Sequence, residues 1–377
     1  MPIYMDRHDF SGVTASDVAA AHQEDLKIQA KYGCRGLTYW FDEERQTAFC
    51  LIEGPDQEAV KNMHLEAHGL VPFEIIEVDT QVVKAFLGRI EDPQAQALRQ
   101  ETLFAFKDSA FRTLMATELK EAALLPAKVG PSEAQSLSTL HKAIIRASLL
   151  KYEGQEVRAT RHGFLASFVS ASQAVRCALA IQEALREQHT QCGADLPDVE
   201  IGLSAGTPVN GSSDFFGKAI QLATRLCKVS GAGHVVISAT VKDLFKQEET
   251  TALREGHLIR TLNLPEERFL NQLYDLTETA WQENNLTVQA FAKACGLSKS
   301  QLYRKTVSLL GYSPVDFVKE FRLTKAVEIL ESQQNSIAEV AYDAGFTSPS
   351  YFSKCFQQRF HILPSSFVTA VAATASL

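Results

Sequence analysis

No apolar run in this 377-residue chain approaches the ~18 residues that a membrane-spanning helix requires, and the N-terminus lacks the basic-then-apolar pattern of a secretory signal. The seven cysteines are odd in number and contain no C-x-x-C pair, which points to reduced thiols and a cytoplasmic setting rather than a disulfide framework. There is no G-x-G-x-x-G turn and no P-loop, so no backbone phosphate cradle is expected. Positive charge is also scarce. The net charge is −8, but it is uneven: from Trp281 onward the balance is +2, whereas the preceding 280 residues carry −10. An acidic body of that size is repelled by phosphate, and any nucleic-acid contact belongs to the tail. At this length, two or three domains with separate cores are expected.

The tail carries the clearest local grammar. LTVQAFAKACGLSKSQLYRK (286–305) and NSIAEVAYDAGFTSPSYFSKCFQQRF (335–360) both read as helix, glycine turn, capped helix. In the second, Ser336 and Glu339 form an S-x-x-E capping box, and Ile337, Val340, Ala341 and Ala344 fall at helical spacing on one face. Gly345 supplies the turn, Ser348 caps the next helix with Pro349 in its first position, and Phe352, Phe356 and Phe360 recur every four residues. The first copy repeats this with Gly296, a Ser298/Gln301 box, and Leu302, Thr306, Leu309 and Leu310 turned inward. Gly311 ends that copy, and a helix from Ser313-Pro314 to about Glu331 joins the two. Two helix-turn-helix units on one spacer suit successive major-groove segments about 34 Å apart. The outward polar residues are then the candidate DNA readers: Lys299, Ser300, Tyr303 and Arg304 in the first, and Pro349, Ser350, Tyr351 and Lys354 in the second. Arg304 suits a guanine edge, Lys354 a base or phosphate, and Pro349 only apolar contact. A tail of only +2 implies modest nonspecific affinity and a dimer on double-stranded DNA.

RLTKAVEILE (322–331), followed by the second copy and Pro364, resembles the AraC/XylS family of transcription regulators over about a quarter of the chain. The resemblance implies an all-α double helix-turn-helix domain over 278–377 and favours activation, with RNA polymerase as a partner. Ser300 and Pro349 are weaker base readers than the bulky or Arg/Gln residues of family members.

Residues 1–80 read as strand 2–8, helix 15–32, strand 35–41, strand 47–52, helix 57–67 and strand 73–78, with Gly33 ending the first helix and a turn at 42–45. The order β-α-β-β-α-β is that of a ferredoxin-like domain. Four of the ten histidines lie here, and His64 and His68 in HLEAH are four apart, so both can face one side of a helix and chelate a divalent metal. The spacing lacks the H-E-x-x-H base of a zinc protease. MPIYMDRHDF together with FCLIEGPDQEAVKNMHLEAHGLVPFEIIEVD resembles a small ferredoxin-like family in which nickel binding has been proposed. The metal candidates are His8, His22, Cys50, His64 and His68, with nickel the favoured divalent transition metal. Residues 81–101, which include a polar, glutamine-rich stretch at about 92–101, are assigned to a linker.

From 102 to 277 strands and helices alternate: strand 111–119, helix 131–152, a hairpin of 156–160 and 164–169 around Arg161-His162-Gly163, helix 172–188, strand 199–205, helix 217–229, strand 234–238, and a closing strand at 273–276. RATRHGFLASFVSASQAVRCALAIQEAL, VEIGLSAGTPVN, GKAIQLATRLCKVSGAGHVVIS and LYDL are similar to the class III nucleotidyl cyclase homology domain, an α/β sandwich. In that family two carboxylates hold two metal ions. Residue-by-residue matching puts Glu118 at the first of these positions and His162 at the second, where an imidazole is a poor ligand for magnesium. The same matching puts Arg158 at a purine-selecting position with Asp214 as its acidic partner, Gln221 at a transition-state Asn, and Arg225 at a transition-state Arg. The resemblance therefore implies a degenerate ligand pocket without catalytic residues, and a head-to-tail homodimer with composite pockets.

The chain is thus expected to be a multidomain α+β transcription regulator, not an enzyme, modulated upstream by a metal ion or nucleotide-like ligand. The alternatives are an active nucleotidyl cyclase fused to a DNA-binding domain, or a nickel-binding metallochaperone.

Overall fold

The computed structural model describes residues 1–93, 105, 108–192, 198–231, 233–248, 258–283, 287–332 and 336–375. Most of the glutamine-rich stretch assigned to the linker lies outside these, as do Leu286 and Asn335 at the starts of the two tail motifs.

The N-terminal unit contains β1 (Ile3–Asp9), α1 (Ala15–Ile28), β2 (Arg35–Asp42), β3 (Thr47–Glu53), α2 (Gln57–Ala67) and β4 (Glu74–Glu77). Its antiparallel sheet runs β2-β3-β1-β4, the ferredoxin-like arrangement. Thr14 and Asp17 form a capping box that starts α1. One sheet face packs Tyr39, Phe41, Cys50 and Ile52 against Val18, Val60 and Met63 of the two helices. The other face presents Met5, Trp40, Phe49 and Leu51, which are also buried.

That second face is covered by α3 (Thr80–Leu87) and by the middle domain. Sequence reasoning assigns 81–101 to a linker, yet its first part is this packed helix, capped by Asp79 and ended by Gly88 at φ +83°. Val83, Phe86 and Leu87 point into the shared core. The middle domain continues with β5 (Arg112–Leu119), α4 (Leu125–Val129), α5 (Pro131–Lys151), β6 (Gln155–Ala159), β7 (Gly163–Phe168), α6 (Ala171–Cys192), β8 (Val199–Gly206), α7 (Gly217–Lys228), β9 (Val235–Ile237), α8 (Ala239–Glu248), β10 (Ile259–Thr261) and α9 (Leu264–Ala280). Its six-stranded sheet runs β10-β9-β8-β5-β7-β6, antiparallel from β8 to β6 and parallel from β8 to β10. Successive residues of β5 serve opposite faces: Met115 faces α5, α6 and α8, while Leu114 and Ala116 face α7 and the N-terminal sheet.

The strand expected at 273–276 is instead part of α9. Asn263 and Glu266 cap this helix reciprocally with Pro265 in its first turn, and Phe269, Leu270, Leu273 and Thr277 form its buried stripe. The short apolar run LYDL fits either period, and the upstream cap decides for the helix.

The tail is all-helical: α10 (Val288–Ala294), α11 (Lys299–Leu310), α12 (Pro314–Glu331), α13 (Ile337–Asp343), α14 (Pro349–Phe360) and α15 (Pro364–Ala375). The Ser298/Gln301 and Ser336/Glu339 boxes both form, and Ser348 caps α14. Its two halves join different parts of the middle domain. Phe291, Leu302, Leu309 and Phe317 share a core with Leu226 of α7 and with Phe269, Leu270 and Leu273 of α9. Phe352, Phe356, Phe360 and Phe367 share another with Leu124, beside α4.

The two turns differ in tolerance. Gly296 (φ +65°) has open space where a Cβ would stand, whereas at Gly345 (φ +73°) a Cβ would meet the Trp281 carbonyl oxygen at 2.8 Å and Arg322 Nε at 3.0 Å. Gly296→Ala should cost about 1–2 kcal/mol, the left-handed backbone penalty alone. Gly345→Ala should cost more and loosen the second unit. Urea denaturation followed by amide exchange in α13 and α14 would check this, and equal costs would contradict it.

Candidate functional sites: a buried histidine-carboxylate cluster and two exposed helices

Asp6 and His8 are alternate residues of β1 and therefore share a face. Against that face lie His64 of α2, His68 at its C-terminal cap, and Asp25 of α1, whose buried face also carries Val18 and His22. His64 is fully enclosed, with Nε2 2.8 Å from Asp6 Oδ2 and Nδ1 3.0 Å from Asp25 Oδ1. His68 Nε2 stands 3.2 Å from Asp25 Oδ1 and 3.2 Å from His64 Nδ1, while its Nδ1 accepts the Leu70 amide. His8 Nε2 lies 3.3 Å from Asp6 Oδ1, close enough for attraction but without hydrogen-bond geometry, so this buried nitrogen has no hydrogen-bond partner.

The electrostatics follow from this geometry. Burial alone would lower the His64 pKa, but Asp6 and Asp25 outweigh it and raise it to about 10, so His64 is an imidazolium held between two carboxylates. Burial would raise Asp6, and the opposing pull of His8 and His64 takes it well below the usual carboxylate range. Asp25 is likewise lowered by its hydrogen bonds to His64 and His68 despite burial.

Two triads of donor atoms could hold a cation: Asp6, His8 and His64, and Asp25, His64 and His68. His64 belongs to both. A metal on either nitrogen would replace the proton there and leave the other N–H on a carboxylate, the usual outer-shell support for a ligating imidazole. The unpartnered His8 Nε2 gives the first triad the better fit. Three imidazoles with two carboxylates are borderline donors suited to nickel, copper or zinc.

Of the five metal candidates, the structure brings His8, His64 and His68 together. Cys50 lies opposite Asp6 across the β1–β3 ladder and donates its amide to Oδ1 at 3.1 Å, but its thiol is in neither triad, and burial pushes that thiol well above its ordinary pKa. His22 pairs with Asp92 at 3.2 Å and packs on Tyr39. Asp6 and Asp25 were missed by sequence reasoning. A carboxylate's role here depends on which strand and helix face it occupies, although Asp6 two residues before His8 on a strand was a usable signal.

The nucleotide-type candidates are split between two cavities. Glu118, His162 and Arg225 line one of about 710 Å³ between the middle domain and the tail. Arg158, Asp214 and Gln221 line another of about 700 Å³ beside α3. Within one chain the structure does not bring the six together. Glu118 is ion-paired with Lys228, and Arg225 with Asp275 and Glu278. His162 Nε2 is 3.6 Å from Glu331 of α12.

On the tail, Lys299, Ser300, Tyr303 and Arg304 of α11 are exposed, as are Ser350, Tyr351 and Lys354 of α14, with Pro349 half-buried. The spacer α12 has 18 residues and so spans about 27 Å. Arg322 anchors it by donating to the carbonyls of Trp281 and Glu283. Arg359, on the inner side of α14, pairs with Glu320 of α12 and Glu121 of the middle domain.

Residues 4–78 match the family model described as nickel responsive protein SCO4226-like, and residues 291–370 match a helix-turn-helix domain model. The HTH-type transcriptional regulator MtrA of Neisseria gonorrhoeae is 31% identical over 114 residues, 30% of this chain and 33% of that protein. The thermoregulatory protein LcrF of Yersinia pestis is 29% identical over 185 residues, 46% of this chain and 66% of that protein. An adenylate/guanylate cyclase/hydrolase structure from Silicibacter pomeroyi superposes at a TM-score of 0.32 with 26% identity, over 38% of this chain and 83% of that one. The chain thus covers a third of the length of the first of these relatives and just under two thirds of the second. The tail is an AraC-type DNA-binding domain. No helix among the described residues is long and apolar enough to cross a membrane.

Asp6→Asn would leave the buried His64 imidazolium with one counter-charge and should cost about 3–5 kcal/mol in the metal-free protein. Because the His64 pKa is raised from 6.5 to about 10, its contribution is complete below pH 6.5 and fades as pH rises toward 10. The stability difference between wild type and His64→Gln should shrink over that interval. A difference that grows with pH would refute the assignment of an imidazolium.

Proposed function

We propose that the chain is a one-component, sequence-specific transcription regulator, an activator, whose DNA binding responds to a metal ion held by the N-terminal cluster. The observation that carries the reading is the pair of capped helices, α11 and α14, with exposed polar faces on one spacer helix. Relatives named as transcriptional regulators and activators support it. Arg304 and Lys354 are the readers with the greatest reach, and Tyr303 and Tyr351 add aromatic surface beside them. The working form is a cytoplasmic homodimer on double-stranded DNA, with RNA polymerase the partner of activation; the slight positive charge of the tail favours two copies acting together.

Nickel is the favoured effector. His8, His64 and Asp6 would hold it, with Asp25 keeping the second nitrogen of His64 in place. When bound, the ion supplies positive charge that replaces the His64 proton. The cluster lies on α1, α2 and β1, and the opposite face of that sheet packs on the middle domain, so a change in the cluster bears on the rest of the chain.

Catalysis by the middle domain is disfavoured. The one carboxylate at a metal position, Glu118, is already neutralised by Lys228, and His162 stands at the other. Phosphoryl chemistry depends on such charges. Incubation with ATP or GTP and manganese should yield no cyclic product, and its appearance would favour the rival enzyme reading.

Arg304→Ala and Lys354→Ala should each weaken specific DNA binding by about 1–3 kcal/mol, Arg304→Ala with relaxed specificity at one position. Genome-wide footprinting of the tagged protein with and without nickel supplies the operator, and gel shifts on it supply the affinities. Wild-type affinity in both variants would sink the assignment. Unchanged occupancy with nickel would remove the metal response while leaving DNA binding intact.

A further inference from the structure

The junction cavity of about 710 Å³ has β5, β8 and α7 of the middle domain on one side and α12 and α14 of the tail on the other. Seven glutamates line it against five lysines and arginines. Six of the seven already have a cation: Glu118 has Lys228, Glu121 and Glu320 share Arg359, Glu278 has Arg225, Glu328 has Lys325, and Glu331 has Arg161. Glu200 has none. It forms no ion pair or side-chain hydrogen bond among the described residues, and burial, with the negative charge of Glu118, pushes its pKa up to about 7 in spite of Lys228 and Lys120 nearby. A carboxyl left in that state is waiting for a counter-charge.

Part of the wall is aromatic. Tyr274 of α9 packs edge-on to Phe317 at 5.3 Å and to Phe321 at 6.3 Å, both on α12. Two further polar atoms on the wall are buried without a hydrogen-bond partner: Nε of Arg225, whose side chain is 3% exposed, and Nε2 of His162. Arg225 is already neutralised by Asp275 and Glu278, so its Nε–H calls for a neutral acceptor rather than an anion.

We propose that this cavity binds a small organic cation, a primary amine on an aromatic body bearing a hydroxyl or carbonyl oxygen. The ammonium sits on Glu200, the ring lies against Tyr274, Phe317 and Phe321, where aromatic packing adds to burial, and the oxygen accepts from Arg225 Nε. A nucleotide, with its triphosphate, is refused by the surplus of carboxylates. An occupant touches β8 on one side and α12 on the other, so it fixes how the tail sits on the middle domain. That last consequence rests on the regulator reading, whereas the binding site does not.

The test is calorimetry on the full-length protein with tyramine, its neutral counterpart 4-ethylphenol, the anionic 4-hydroxyphenylpropionate, and ATP. Tyramine should bind saturably, with 4-ethylphenol at least tenfold weaker and the two anions not binding at this cavity. Glu200→Gln, which removes a buried charge and so should fold, and Phe321→Ala should each reduce tyramine affinity at least tenfold. Glu58→Gln, at an exposed carboxylate in the first turn of α2, should leave it unchanged. Absence of tyramine binding, equal binding of 4-ethylphenol, or an unaffected Glu200→Gln variant would overturn the proposal. Gel shifts on the same samples keep the two readings apart: tyramine binding without DNA binding refutes only the regulator.

Discussion

Both sheets carry apolar side chains on both faces, and that constraint shapes everything else. β3 is buried at six of its seven positions and β7 at all six, so neither sheet can leave a face in water. The N-terminal sheet has α1 and α2 for one side only, whereas the middle sheet has α5, α6 and α8 on one side and α7 over part of the other. The uncovered face of the N-terminal sheet meets α3, α7 and the middle sheet, and the remaining surface of α7 and α9 meets the first half of the tail. At about 1.5–3 kcal/mol for each large side chain enclosed, these shared cores make separation of the units costly. The polar contacts agree: buried Arg112 spends its donors on carbonyls of Phe86, Ser109 and Phe111, tying the end of α3 to the start of β5.

Sequence patterns were most legible where a local rule decides the outcome. Capping boxes at Ser298 and Ser336 fix helix starts within four residues, and the Phe352, Phe356 and Phe360 repeat fixes the buried face of α14. The ferredoxin-like order could be read for the same reason, because each strand is bounded by its own turn. What could not be read depends on distance in sequence. Nothing local says that Asp25 and His64, 39 positions apart, meet at 3.0 Å. His22 and Cys50 have the right chemistry, and only the packed helix and ladder show that Asp92 takes the first and that the second donates its amide to Asp6. α9 was misread for a different reason: a short apolar run satisfies either period, and the Asn263 cap ten residues upstream outweighs it.

The split of the six middle-domain candidates has a physical reading of its own. Glu118 and His162 sit at adjoining ends of β5 and the β6–β7 hairpin, while Asp214 and Gln221 lie near the N-terminal end of α7, on the side of α3. In a single chain both groups lie on the α7 side of the sheet, one toward each end of that helix. A composite pocket of the kind the sequence resemblance implies therefore requires a second copy, whereas the junction cavity is complete within one chain because the tail supplies its second wall.

β5 is the element common to both proposed inputs. Its first residue, Arg112, is locked to α3 under the N-terminal sheet, and its seventh, Glu118, borders the junction cavity, with Glu121 just beyond holding Arg359 of α14. Eight extended residues reach about 27 Å and are paired along both edges, so the strand moves as a rod rather than absorbing a displacement. Contiguity is a route, and coupling also needs two arrangements of the tail that differ in energy by no more than an effector can supply, typically 1–3 kcal/mol. The tail's ion pairs meet that condition better than its cores. Arg359 and Arg161 bridge half-exposed surfaces and are each worth about 1 kcal/mol or less, while the cores around Leu124 and Leu226 hold the halves in place. A shift that exchanges the ion pairs and keeps the cores is therefore the motion an effector of ordinary affinity can drive.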